Sequence, residues 1–159
     1  MRVRACLLVA AAVAAVGLPA TSSAAPALET QSVPTLERAV LAKVNRLRVR
    51  RGFRPLLPSR ALKGAARTSG ARMLAGGYFD HRGIRHVSGM SVVGENLAWG
   101  AGRISADRVL ALWLQSRPHR RNLLSPVWTR IGIGAVYGPG SGVYGSGPAT
   151  VIVADFGAP

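Results

Sequence analysis

Three histidines, His81, His86 and His119, and one carboxylate set in an apolar stretch, Glu95 of "VVGENLAWG", are the residues of this sequence best suited to chemistry. Imidazole titrates near neutrality, so it can act as base, acid or metal ligand. A partly buried carboxylate needs compensation, which two imidazoles or a bound cation can supply. No H-E-x-x-H and no cysteine pair is present, so any metal site must be assembled from distant segments. His119 opens a short helix, where the positive end of the dipole disfavours imidazolium; that favours a neutral ring able to act as ligand or base. Against this stands a histidine that merely caps or packs locally.

Ser116, three residues before His119, invites a nucleophile–base reading. Pro118 breaks the helical register between them, and no G-x-S-x-G elbow surrounds the serine, so helix capping explains it better. Asn96 and Asn122 read as backbone-bonding residues that fix turns. Three further carboxylates read as structural: Asp80 as a cap for "HRGIRH", Asp107 in the first turn of a helix, and Asp155 paired with an arginine.

The elements that must position these residues follow from periodicity. Leu36, Val40, Val44 and Leu47 recur at helical spacing until Gly52. Ser59 caps a second helix carrying Leu62, Ala66 and Met73, which ends at Gly76 and Gly77. Ser105 caps a third through Val109, Leu112 and Trp113, and "PHRRNLL" forms a short fourth after Pro118. "RIGIGAVYG" and "ATVIVADFG" alternate as strands on either side of a glycine-rich turn region. The stretch around Glu95 is expected to be a loop or short helix, anchored by Leu97 and Trp99. Helices first and strands last predict an α+β domain whose antiparallel hairpin is covered by helices.

Residues 1–24 have the grammar of a secretory signal peptide. Arg2 and Arg4 precede the apolar run Ala5–Leu18, and Ser22 and Ala24 are the small residues before the expected cleavage after Ala24. The run is short for a membrane span, which takes about 20 residues. The only cysteine, Cys6, lies inside it, so the exported chain has no disulfide or thiol chemistry. Residues 25–34 read as a disordered leader, and residues 35–159 as one domain.

The chain carries 21 basic residues against 6 acidic, a formal charge of +15. Such a surface is drawn to polyanions, meaning anionic envelope polymers or lipid headgroups. All but Lys43 and Lys63 are arginines, and Ala, Gly and Val abound, so GC-rich codon usage is a second explanation. Specific nucleic-acid binding is disfavoured, because the aromatics do not interleave with arginine on a stacking surface.

The segments "YFDH", "VGENLAWG", "ALWLQSRPHRRNLLSP" and "TRIGIGAVYG" occur in the order and approximate spacing of the CAP superfamily, and the chain resembles its bacterial extracellular branch from Leu36 to Phe156. The resemblance implies an α-β-α sandwich with a central antiparallel sheet. It also implies a groove lined by histidines and acidic residues, which in several members holds a divalent metal such as zinc. The two family histidines fall on His81 and His119, which become the candidate metal ligands, and the glutamate falls on Glu95. The position of a second family glutamate falls on Ser116, so this chain lacks that carboxylate. The stretch between His81 and Glu95 is short for the family, and Asp80 stands where serine is usual, placed to orient His81. Asn96, Trp99, Trp113 and Asn122 are the expected structural support.

Two functions follow from the groove, beside a third, polyanion binding by charge alone, in which the groove residues are dispensable and binding collapses with salt. In the first, the protein is a secreted, monomeric binding module, non-catalytic or weakly catalytic, its groove taking a metal, lipid, sterol or cell-wall ligand. In the alternative, it is an extracellular hydrolase of peptide or peptidoglycan, with metal on His81 and His119 and Glu95 as catalytic base. Two protein ligands are fewer than the three usual at catalytic zinc, which favours the binding module.

Overall fold

A computed structural model describes residues 29–81 and 87–159. The expected signal peptide, and His86, lie outside the described residues. Four α-helices and five strands appear among those described: β1 (Gln31–Ser32), α1 (Pro34–Arg50), β2 (Leu57–Pro58), α2 (Arg60–Gly76), β3 (Val92–Ala101), α3 (Ala106–Gln115), α4 (Arg117–Leu124), β4 (Arg130–Pro139) and β5 (Pro148–Ala158).

The sheet runs β1-β4-β5-β3, antiparallel throughout, with the two-residue β2 lying parallel to β4. Helices cover both faces, which is the expected α-β-α sandwich. Alternation along the strands sorts the two cores. Ile131 and Ile133 of β4 and Ile152, Ala154 and Phe156 of β5 pack with α1, α3 and α4, around Val40, Val44, Trp113 and Leu123. Val151 and Val153 of β5 and Leu97 of β3 face the other way, onto Ala66, Met73 and Leu74 of α2. On that face β4 presents Gly132 and Gly134. A Cβ at Gly132 would lie 2.1 Å from the backbone nitrogen of Lys63, so these glycines let α2 lie almost against the sheet.

The helix caps are as the sequence predicts. Ser59 Oγ accepts from Leu62 N–H and Ser105 Oγ from Arg108 N–H, while Gly77 closes α2 in the left-handed region at φ 65°. Three expectations need correction. Val92–Ala101 is a ten-residue strand, not a loop or short helix, and Asn96 sits within it and not at a turn. Residues 25–34 are not a leader to their end, since Gln31 and Ser32 pair with Tyr137 and Val136 and supply partners for the edge of β4. Ser116 occupies the N-cap position of α4, but its hydroxyl makes no capping hydrogen bond. A cap oxygen is taken by the second or third N–H of the helix; here the second residue is Pro118, which has none.

Candidate functional site

The site is built on β3, the edge strand of the sheet, and on α4, which lies along that edge. Asn122 Nδ2 of α4 donates to the Glu95 carbonyl at 3.1 Å and to Asn96 Oδ1 at 2.9 Å, and Asn96 Nδ2 donates to the His119 carbonyl at 3.0 Å. Trp113 of α3, fully buried, donates its indole N–H to the Leu97 carbonyl at 2.9 Å. An exposed edge would present unpaired backbone groups; these side chains cover it and fix where α4 starts. Asn122 and Trp113 thus tie α4 and α3 to β3, and Asn96 does so from within the strand. Trp99 lies half-buried on the α2 side, edge-on to Tyr144 at 5.1 Å.

This framework brings His81, Glu95 and His119 together. His81 Nδ1 lies 2.8 Å from Glu95 Oε1, and the rings of His81 and His119 are 6.3 Å apart, tilted by 51°. The pair is asymmetric: the His81 side chain is 59% exposed and that of Glu95 only 3%. A buried carboxylate thus holds an exposed imidazole by its inner nitrogen. With Glu95 ionised, Nδ1 carries the proton and Nε2 presents a lone pair outward. Burial pushes the Glu95 carboxyl above its ordinary range, and the neighbouring charge of Asp80 adds to that; the hydrogen bond and charge of His81 pull it back. Burial, and then the charge of His81, lower the His119 imidazole and favour its neutral form. The direction matches the sequence expectation, with desolvation and a second imidazole as its causes.

Asp80 lines a neighbouring cavity of about 330 Å³, together with Ser69, Arg72, Met73 and Tyr78. His81 Nδ1 is oriented by Glu95. Asp107 pairs with Lys43 at 2.6 Å in the first turn of α3.

Asp155 departs most from expectation. Among the described residues no arginine pairs with it. It is buried on the central strand β5 directly opposite Glu95, with Oδ1 unpartnered, and Glu95 Oε2 is buried and unpartnered as well. Desolvation, and then the charge of Glu95, push its carboxyl up to about 8. Only the register of the last strand against β3 could have revealed this neighbour.

As a metal centre the cluster fits poorly. It offers two imidazoles, and among the described residues no group of three or more His, Cys, Asp or Glu could hold a metal ion. Catalytic zinc usually has three protein ligands.

Residues 41–156 match the Cysteine-rich secretory protein family, CAP. The chain belongs to the CAP family. It is 31% identical over 126 residues to YkwD of Bacillus subtilis, covering 73% of this chain and 47% of that protein, so it spans about half of its relative's length. Among solved structures, this CAP domain resembles an outer surface protein of Borrelia burgdorferi, with a TM-score of 0.64 at 18% identity over 81% of this chain and 98% of the other. It also resembles an extracellular SCP-domain protein of Bacillus anthracis, with a TM-score of 0.61 at 22% identity over 79% and 41% of the two chains. These likenesses confirm the CAP fold. Despite the family's name, this member has a single cysteine, Cys6.

Proposed function

We propose that this CAP domain acts outside the cell as a binding module, and that His81, Glu95 and His119 form the polar floor of its ligand groove. The observation that carries the reading is the 2.8 Å bond from the exposed His81 imidazole to the buried Glu95 carboxylate. Such a bond fixes a ring in one tautomer and orientation, which suits recognition of a ligand hydroxyl or amine by the outer nitrogen. His119, held nearby by Asn96 and favoured as the neutral ring, supplies a second partner of the same kind. The matching groups belong to a hydroxyl-rich cell-wall ligand or a lipid headgroup. The expected signal peptide and the descriptions of the extracellular and outer surface relatives support export.

The hydrolase reading has less support, because it needs a third metal ligand beyond His81 and His119. Calorimetric titration of the metal-free protein with zinc near neutral pH tests both readings. Weak or no uptake is the expected result. Saturable one-site uptake, lost in both His81→Ala and His119→Ala, would establish a metal groove and overturn the preference for a metal-free binding module.

A further inference from the structure

On α4, Arg117, Arg120 and Arg121 stand three and four residues apart, which places them on one helical face, and all three are exposed. They line an open depression of about 520 Å³ together with Asn122, Leu124 and Ser125. The fold rewards this arrangement only in part: Arg120 donates to the Leu114 carbonyl and Arg121 sits in the last turn, where the dipole favours a cation, while Arg117 gains neither. Like charges at these spacings destabilise a helix. Arg117 also occupies the first turn, where the dipole is unfavourable to cations and no acidic residue compensates it.

Four of the six acidic residues are engaged elsewhere. Glu37 is bound by Arg67, Asp107 by Lys43, and Glu95 and Asp155 are buried. Among the described residues, none of the three guanidiniums forms an ion pair. Arg120 is nevertheless held in place, since Nη1 donates to the Leu114 carbonyl at 2.8 Å. The wall behind it is fixed by Arg48, which donates to the carbonyls of Leu123 and Ser125. A cation placed against the dipole at Arg117, with like charges beside it, is a broken local rule of the kind expected at functional positions.

We propose that this face of α4 binds a phosphodiester-backboned polymer of the cell envelope. The proposal rests on the extracellular binding reading above and names its partner. Guanidinium forks match phosphate oxygens in pairs, and a phosphodiester stays ionised at every physiological pH.

The test is fluorescence anisotropy of a labelled poly(glycerol phosphate) oligomer titrated with the protein at two salt concentrations. Arg117→Gln/Arg121→Gln is compared with Arg46→Gln/Arg50→Gln, which removes the same charge from exposed positions of α1. The expected result is salt-sensitive binding that falls roughly tenfold in the α4 variant and roughly threefold or less in the control. Amide shift changes confined to α4 and its surroundings, on adding oligomer to the unmodified protein, support the same site without any variant. Equal losses in the two variants, equal binding of a polyuronate, a preference for anionic phospholipid vesicles, or no binding would each overturn the proposal. His81→Ala in the same titration separates the two readings. Unchanged binding there, with loss in the α4 variant, upholds the arginine face while counting against the groove.

Discussion

Glu95 and Asp155 face each other across the β3–β5 pair, on the side of the sheet covered by α2, each with a buried carboxyl oxygen that has no partner. Directly opposed like charges destabilise a sheet, and burial sharpens the penalty. The arrangement is relieved when one proton stays in the pair, and Asp155, pushed up to about 8, is the residue that holds it. Glu95 is then free to serve His81 as an acceptor.

The first prediction concerns stability against pH. The Asp155 carboxyl rises from an ordinary 3.8 to about 8 on folding, so the folded state keeps a proton that the unfolded chain releases. Its stabilising contribution is complete below about pH 4, declines as pH rises, and is gone above about pH 8. Asp155→Asn keeps the shape and a donor without the charge. Melting midpoints of the variant and the natural chain should nearly coincide at pH 4, and by pH 8 the variant should be the more stable. Parallel curves over that range would show that Asp155 does not hold the proton.

The second prediction concerns the imidazoles. Nitrogen-detected NMR near pH 7 should find His81 with its proton on Nδ1, and Glu95→Ala should convert it to a mixture of tautomers. The His119 midpoint should fall below the ordinary 6.5 and move up when His81 is replaced by alanine, because that charge contributes to lowering it. A midpoint at or above 6.5 would contradict the burial of His119.

The reach of the sequence varied by element, for physical reasons. The helices were legible because Ser59 and Ser105 are local caps and the apolar spacing is regular. β4 and β5 were legible from their apolar runs and the glycine-rich turn. β3 was not: Glu95, Asn96, Leu97 and Ala98 are all buried, so the strand lacks the polar–apolar alternation that marks one open face. His81, Glu95 and His119 lie 14 and 24 positions apart, and only the family resemblance brought them together before the fold was known. Asp155 stayed hidden because its neighbour is set by strand register, and register depends on the whole sheet.

The third prediction tests the closure of the edge strand. Asn122 bonds both the Glu95 carbonyl and the Asn96 side chain, so Asn122→Ala strands two polar groups at once. The expected loss is about 1–3 kcal/mol in denaturant unfolding. Hydrogen exchange in β3 should rise more than in β4, which lies inside the sheet. A loss spread evenly over the sheet would argue against Asn122 as the clasp of this edge.

The fourth prediction tests how closely α2 is seated. A methyl group at Gly132 meets Lys63 N at 2.1 Å and Leu62 C at 2.2 Å, both backbone atoms that cannot turn aside. At Gly70 the nearest atom is a Val136 methyl at 3.3 Å, which a small side-chain adjustment relieves. Gly132→Ala should therefore cost at least about 3 kcal/mol, and Gly70→Ala much less, since alanine also favours the helix. Gly132 stands opposite Asp155 in the ladder, so forcing α2 outward there opens the roof over the buried carboxyl. The Asp155 midpoint should fall toward its ordinary value in any Gly132→Ala protein that still folds. Equal costs at the two glycines would mean that α2 is not held against the sheet at Gly132.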